Sequence, residues 1–242
     1  MGDTLFISDL HLDEEQPAIT RGLLDFLVRE APRADALYVL GDLFEAWVGD
    51  DHDTPLARTV IAAFRAFADG GRPLYFMHGN RDFLLGDDFA ARAGGRILAE
   101  NTLVDLYGTR AVLAHGDGLC TDDHEYQKFR AMVRNPDWLS GARAMPLELR
   151  LALAAKLRSE SKMRNANKPD NIMDVNAGAV ADLLRRSGAD VLIHGHTHRP
   201  AVHEVELGER RAKRYVLGDW RPDRGWCLRA GRDGIELESF AI

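Results

Sequence analysis

The sequence predicts an α/β protein: a substantially parallel sheet, a second sheet toward the end of the chain, and a helical insertion between them. Three observations predict it. Short apolar runs end in polar, glycine-containing turns, helical patterns lie between some of these runs, and the stretch from about residue 122 to 170 carries no strand signal. Strands that alternate with helices form parallel sheets covered on both faces, and so read as continuous apolar runs. The 242 residues fit one large domain, here residues 1–242 with 122–170 as an insertion within it.

Taken in order, the first run, residues 4–8, leads into Asp9-Leu10-His11. A helix is expected over 19–30, where apolar residues recur at three- and four-residue spacing. The run 36–40 leads into Gly41-Asp42, and a second helix is expected over 56–69. Run 74–77 leads into His78-Gly79-Asn80-Arg81-Asp82, and run 111–114 into His115-Gly116-Asp117. The insertion follows, punctuated by Pro136 and Pro146 and stopped by Pro169; in it Leu149, Leu153 and Leu157 share one helical face, with Leu147 and Leu151 beside it. Run 191–193 leads into His194-Gly195-His196-Thr197-His198. Beyond Pro200, runs 201–206, 214–217 and 226–228 read as strands pairing antiparallel in a second sheet.

With 45% hydrophobic and 29% charged residues the chain is globular in composition, which excludes disordered, collagenous and coiled-coil classes. Its 31 basic and 38 acidic residues leave a formal charge of −7, contrary to a general nucleic-acid binder. Cys120 and Cys227 lie in no CxxC pair and make no disulfide framework, as in a reducing compartment. Residues 1–12 hold no basic cluster or cleavage-like site, so no signal peptide is expected. No run approaches the roughly 20 apolar residues of a membrane span. The expectation is a protein that is soluble or rests on a membrane from its cytoplasmic side.

Ligands of open α/β sheets bind beyond the carboxyl ends of the strands. Five such ends deliver Asp9 and His11, Asp42, Asn80, His115, and His196 with His198. Imidazole, carboxylate and amide oxygen together suit manganese, iron or zinc. Seven cysteine-free ligands exceed one tetrahedral zinc and suit two ions that share a carboxylate. Such pairs clamp the attacking and leaving oxygens of an in-line phosphoryl displacement.

Asp9-x-His11, Gly41-Asp42, Gly79-Asn80, His115-Gly116 and Gly195-His196-x-His198, in this order, resemble the calcineurin-like metallophosphoesterase superfamily. The resemblance implies a β-sandwich core flanked by helices. It also implies one metal on Asp9, His11, Asp42 and His198, and another on Asp42, Asn80, His115 and His196, with Asp42 as bridge. Further motifs narrow it: residues 41–47, Gly79-Asn80-Arg81-Asp82-Phe83, Ser161-x-x-x-Asn165-x-x-Lys168, residues 172–176, and His194-Gly195-His196-Thr197-His198-Arg199-Pro200. These are similar to the UDP-2,3-diacylglucosamine hydrolase family of lipid A biosynthesis, and they extend from Asp9 to Pro200. That resemblance implies manganese-dependent cleavage of UDP-2,3-diacylglucosamine, at the cytoplasmic face of the bacterial inner membrane, to UMP and 2,3-diacylglucosamine 1-phosphate. Water activated by two Mn²⁺ ions would attack the phosphorus next to uridine. Asp42, Asn80, Arg81 and His115 become the catalytic candidates, and Asn80, Arg81, Asp123, Ser161, Asn165, Lys168 and His196 the substrate contacts. The alternative is a metallophosphoesterase acting on soluble nucleotides or another nucleotide-linked substrate. No protein partner is implied.

Arg81 adds a chemical argument. Many relatives in the superfamily carry a histidine after the motif asparagine, able to assist a poor leaving group, but a guanidinium cannot donate its proton near neutral pH. A phosphate leaving group has a second pKa of about 6 and departs without protonation, so Arg81 suits a pyrophosphate, with its charge on the transferring oxygens. The insertion adds another: Arg143, Arg150, Lys156, Arg158, Lys162, Arg164 and Lys168 stand against only Glu148 and Glu160 between 143 and 168. Beside a leucine-rich helix this suits an anionic membrane surface or an acylated, phosphorylated ligand. By spacing alone, the leucines would pack the insertion onto the core, and the basic run would be a solvated face. His194 reads as a supporting rather than a ligating residue; His52, His78, His124 and His203 as ordinary surface or loop histidines; Asp82 and Asp117 as either orienting ligands or bridging to the scaffold. Cys120 reads as a small buried residue, and Trp47, Trp138, Trp220 and Trp226 as core or interface residues.

Overall fold

The computed structural model describes residues 2–165 and 174–242. The predicted stop at Pro169, the motif positions 172–173 and Lys168 lie outside them, as does the side chain of Asn165.

The strand-rich runs separate into two sheets packed face to face. The first has the order β11-β10-β1-β2-β3-β4, formed by Asp3–Ile7 (β1), Ala34–Val39 (β2), Leu74–Phe76 (β3), Arg96–Ile97 (β4), Arg224–Gly231 (β10) and Gly234–Ala241 (β11). The second has the order β5-β6-β7-β9-β8, formed by Thr102–Leu106 (β5), Thr109–Leu113 (β6), Val191–His194 (β7), Ala201–Glu206 (β8) and Arg211–Val216 (β9). Each inner strand is apolar on both faces because each face is covered. In β1, Leu5 and Ile7 pack toward helices while Phe6 points to the other sheet; in β6, Ala111 and Leu113 point inward while Val112 points out. Phe6, Leu40, Leu113, Ile193, Tyr215 and Leu228 fill the layer between the sheets.

Helices Pro17–Glu30 (α1), Pro55–Asp69 (α2) and Asp87–Ala93 (α3) contribute Phe26, Phe64 and Phe89 to the core on the outer face of the first sheet. Helix Ala177–Ser187 (α7) contributes Val180 and Leu184 to the outer face of the second. Local chemistry sets where they begin. Thr54 Oγ1 accepts from Ala57 N at 3.1 Å with Pro55 in the first turn, and Asn176 Oδ1 accepts from Ala179 N at 3.0 Å.

One expectation needs correction. Of the three late runs, 201–206 and 214–217 join the second sheet, but 226–228 belongs to β10, which lies antiparallel to β1 with Phe6 opposite Leu228. The pairing within the second sheet is also mixed, since β9 runs parallel to β7 and antiparallel to β8. Cys227 and Leu228 are wholly buried there, so β10 serves the main core rather than a peripheral sheet.

The stretch from 124 to 165 holds only helices: His124–Val133 (α4), Pro136–Ala144 (α5) and Leu147–Asn165 (α6). They fold over the carboxyl ends of the strands, where Trp138 of α5 meets Phe83 of the core at 5.8 Å between ring centres. On α6, Leu153 and Leu157 face a cavity against the core, whereas Leu149 and Leu151 are exposed. The single leucine face expected from spacing is therefore divided. Arg150, expected among the surface charges, is instead buried: its guanidinium pairs with Asp51 and donates to the Val48 carbonyl at 2.6 Å.

Candidate metal centre

The seven predicted ligands converge beyond the ends of β1, β2, β3, β6 and β7. Asp42 stands between two groups of donors. Its Oδ2 lies 3.8 Å from His11 Nε2 and its Oδ1 3.7 Å from His115 Nε2. On the first side, His198 Nε2 is 3.2 Å from His11 Nε2 and 3.4 Å from Asp9 Oδ1. On the second, His115 Nε2 is 3.1 Å from Asn80 Oδ1, and the His115 and His196 rings are 5.1 Å apart. Asp9, His11 and His198 offer ligand atoms within 4.8 Å of one another, as do Asp9, Asp42 and His115. Asp9 thus reaches toward both sides.

Lone pairs of several donors face one another here, an arrangement that a shared cation satisfies. His115 Nδ1 donates to the Leu40 carbonyl at 2.8 Å, which leaves the Nε2 lone pair aimed at the carbonyl oxygen of Asn80. His11 Nδ1 donates to Glu45 Oε2 at 3.1 Å, which turns its Nε2 toward that of His198. Asp9 Oδ2 accepts from Ser8 Oγ at 2.5 Å and from His196 N at 2.9 Å, while Oδ1 is buried without a hydrogen bond. Imidazole lone pairs oriented by their other nitrogen, facing carboxylate and amide oxygens, form a divalent-metal site with its supporting layer built in.

The backbone is strained at the same residues. Asp9, His11, Asp42, His196 and His198 all have φ between +48° and +67°. Non-glycine residues rarely adopt this region, at a cost of about 1–3 kcal/mol each. Their loops also come unusually close. A Cβ on Gly41 would lie 2.6 Å from His115 Nδ1, and one on Gly79 would collide with the carboxylate and amide of Asp42. Asp82, wholly buried, ties these turns together by accepting from Leu43 N at 2.8 Å and Gly79 N at 2.7 Å. Its role is therefore orientation of the Asp42 and Asn80 turns.

Electrostatics point the same way. Burial pushes the Asp42 carboxyl up. Burial opposes charge on His11, yet its bond to Glu45 and the charges of Asp42 and Asp9 push it up to about 9. Burial holds His196 down at about 3 and His194 at about 4. The His11 proton occupies the place of the positive charge that Asp9 and Asp42 call for.

Of the predicted substrate contacts, Asn80, Arg81 and Ser161 line the cleft over the donors and also a second, apolar cavity beside it. His196 and Asp123 line the cleft alone. Asp123 also caps α4, its Oδ1 accepting from Tyr126 N at 3.1 Å. The apolar cavity runs between α6 and the core past Trp47, Phe83, Phe129, Trp138, Leu153 and Leu157. His194 holds no place among the donors: it is buried, with Nδ1 donating to the Gly195 carbonyl at 2.8 Å. His78, expected as an ordinary loop residue, is mostly buried and donates from Nε2 to the Leu85 carbonyl at 2.7 Å. Sequence reasoning missed Glu45, Tyr126 and Asp219. Glu45 lay inside a quoted motif without a role, and Tyr126 follows Asp123 by three, the spacing of a cap; nothing local marks Asp219, whose Oδ2 is 3.8 Å from His198 Nδ1.

The profile of the calcineurin-like phosphoesterase family matches residues 3–200. The chain is 56% identical to a UDP-2,3-diacylglucosamine hydrolase of Chromohalobacter salexigens over 99% of its own length and 98% of the relative's. It is 50% identical to that of Cellvibrio japonicus, covering 99% and 100%, and 52% identical to that of Escherichia coli, covering 98% of each.

Gly79→Ala tests the close approach of the turns. The added methyl displaces the Asp42 carboxylate, so bound divalent metal after dialysis, measured by atomic emission, should fall by about 10-fold or more, as loss of ligand orientation does. Wild-type metal content in the folded variant would show that this contact does not control the site.

Proposed function

The chain belongs to the UDP-2,3-diacylglucosamine hydrolase family of calcineurin-like phosphoesterases, and we propose that it cleaves the diphosphate of UDP-2,3-diacylglucosamine as a step of lipid A biosynthesis. The observation that carries this reading is the meeting of a metal-donor cleft and an apolar cavity at Asn80, Arg81, Tyr126 and Ser161. A substrate with a diphosphate at one end and acyl chains at the other needs both environments, joined at one point. Each buried methylene contributes roughly 0.8 kcal/mol, so an apolar wall beside the donors favours an acylated ligand.

In this reading Asp9, His11, Asp42 and His198 hold one divalent ion and Asp42, Asn80, His115 and His196 the other, with manganese as the ion in each. Divalent ions supply Lewis-acid charge and a nucleophile at neutral pH to phosphoryl displacement. The protein supplies the rest. Arg81, whose amide donates to Asp42 Oδ1 at 2.8 Å, has its guanidinium 3.8 Å from Glu45 Oε1, at the junction of the two cavities. There it stabilises charge on the transferring phosphoryl oxygens. Asn80 and His196 contact the diphosphate, and Ser161, Asp123, Asn165 and Lys168 complete the contacts to the substrate. Water attacks the phosphorus next to uridine, the bond from that phosphorus to the bridging oxygen breaks, and the lipid sugar leaves as its 1-phosphate. Residues 1–242 act as one domain, with 122–170 as its substrate-covering insertion.

The same insertion is the proposed contact with the anionic inner membrane, on its cytoplasmic face. Among the described residues, no helix is long and apolar enough to cross a membrane. Yet among the described residues Met132, Leu149, Leu151 and Met163, all in the insertion, are four of the seven large apolar residues left exposed. Exposed Lys156 lies on the same helix. Apolar side chains with nearby cations suit shallow seating among lipid headgroups.

Product analysis in ¹⁸O-water with manganese tests the reaction. Label should enter UMP and not the lipid phosphate, and UDP-sugars without acyl chains should be cleaved far more slowly. Equal rates on both substrates would favour a soluble-nucleotide phosphoesterase.

Arg81→Ala should lower kcat by about 10²–10³, the usual loss for a group that stabilises developing charge. Arg81→His should not restore diphosphate cleavage; full activity in that variant would remove the role assigned to the guanidinium.

Leu149→Glu with Leu151→Glu should reduce cosedimentation with vesicles of phosphatidylglycerol. Undiminished cosedimentation would move the membrane contact elsewhere.

A further inference from the structure

Helix α4 reaches three of the turns that carry donors, and all three lie on one side of Asp42. Asp117, two residues beyond His115, is 1% exposed. Its Oδ2 accepts from the Tyr126 hydroxyl at 2.7 Å and from Arg130 Nε at 2.9 Å. At the end of the helix, Arg134 Nη2 lies 3.8 Å from the same oxygen and donates to the Gly79 carbonyl at 2.9 Å, immediately before Asn80. The Tyr126 ring also lies over that of His196, 6.0 Å between centres at an interplanar angle of 27°. Asn80, His115 and His196 are thus each supported by the same helix.

The opposite side is built from other parts. His11 leans on Glu45 and His198 on Asp219, and neither belongs to the insertion. A buried carboxylate bound to a hydroxyl and two guanidinium groups is a stiff junction, because charge-assisted bonds are strong where water is excluded. Losing Arg134 would free the Gly79 carbonyl and one edge of Asp117, and would leave Glu45 and Asp219 untouched.

We propose that Tyr126 and Arg134, acting through Asp117 and the Gly79 carbonyl, are positioning residues for the Asn80–His115–His196 side of the centre alone. Apart from Asp42 and Asp82, which serve both, the two ion positions then lean on different supporting residues. Helix α4 also lends Tyr126 and Phe129 to the wall of the apolar cavity. What fills that cavity and what binds on this side therefore alter one another's affinity by the same factor, as linkage requires.

This inference rests on the two-ion reading of the site, and the experiment separates the two. The full-length protein, freed of metal, is titrated with Mn²⁺ alone by calorimetry, and crystals soaked in Mn²⁺ give the occupancy of each position by anomalous scattering. Arg134→Ala should weaken one of two binding events by about 10–100-fold, the usual cost of losing a supporting partner. The occupancy lost should be the one beside Asn80. Tyr126→Phe, which keeps the ring and removes one hydrogen bond, should show a smaller loss on the same side. Arg134→Lys should recover most of the affinity, and Asp219→Asn should weaken only the other position. Equal weakening of both events, or unchanged affinities in variants whose metal-free thermal unfolding matches wild type, would overturn the proposal. A single binding event in the wild-type protein would instead overturn the two-ion reading. Should Arg134→Ala not fold, Tyr126→Phe carries the same comparison.

Discussion

The Asp42 carboxylate, only 2% exposed, with one oxygen toward His11 and the other toward His115, is the contact from which the rest of the site is organised. A buried carboxylate without a cation is costly, and Asp9 beside it doubles the demand. Nothing in the apolar core can meet that demand, so donors must be gathered from five separate strands. The consequences are visible in the backbone. Five candidate ligand residues sit at positive φ, glycines stand where the turns touch, and Asp82 binds the turns after β2 and β3 into one piece. Inner strands buried on both faces supply the rigidity that keeps such strain from relaxing.

A second constraint comes from placing oil next to ions. The cavity under α6 is walled by Trp47, Phe83, Trp138 and Leu157, yet it opens on Asn80 and Arg81. An apolar wall raises the strength of nearby charges by excluding water, so the boundary needs residues able to face both ways. Tyr126 does so, with its ring beside His196 and its hydroxyl on Asp117. Arg150 shows the same logic within the insertion: a cation turned inward, paired with Asp51 and the Val48 carbonyl, ties α6 to the core.

Much of this was legible in the chain. The strands that carry ligands are continuous apolar runs because both faces are covered, and each ends in a polar turn whose residue types name their chemistry. The edge strands were less visible. β11 alternates Ile235, Glu236, Leu237 and Glu238, a half-exposed pattern that short windows of apolar residues overlook, and β4 is only two residues long. Run 226–228 looked like part of a terminal sheet because its neighbours in sequence pair there. It lies beside β1 because Leu228 fits the layer between the sheets.

By itself the sequence determined the α/β class, the helical insertion and the seven candidate donors, since each depends on local periodicity or on side-chain chemistry at a strand end. Only the tertiary structure decided that Asp9 reaches toward both sides of Asp42, which strands share a sheet, and that Leu153 and Leu157 face a cavity while Leu149 and Leu151 face outward. It also decided the supporting layer of Glu45, Asp117, Tyr126, Arg134 and Asp219. Those residues act through contacts between segments far apart in the chain, Arg134 reaching Gly79 and Asp219 approaching His198. Spacing along the chain carries no record of such distances, because they are set by how the sheets and helices pack.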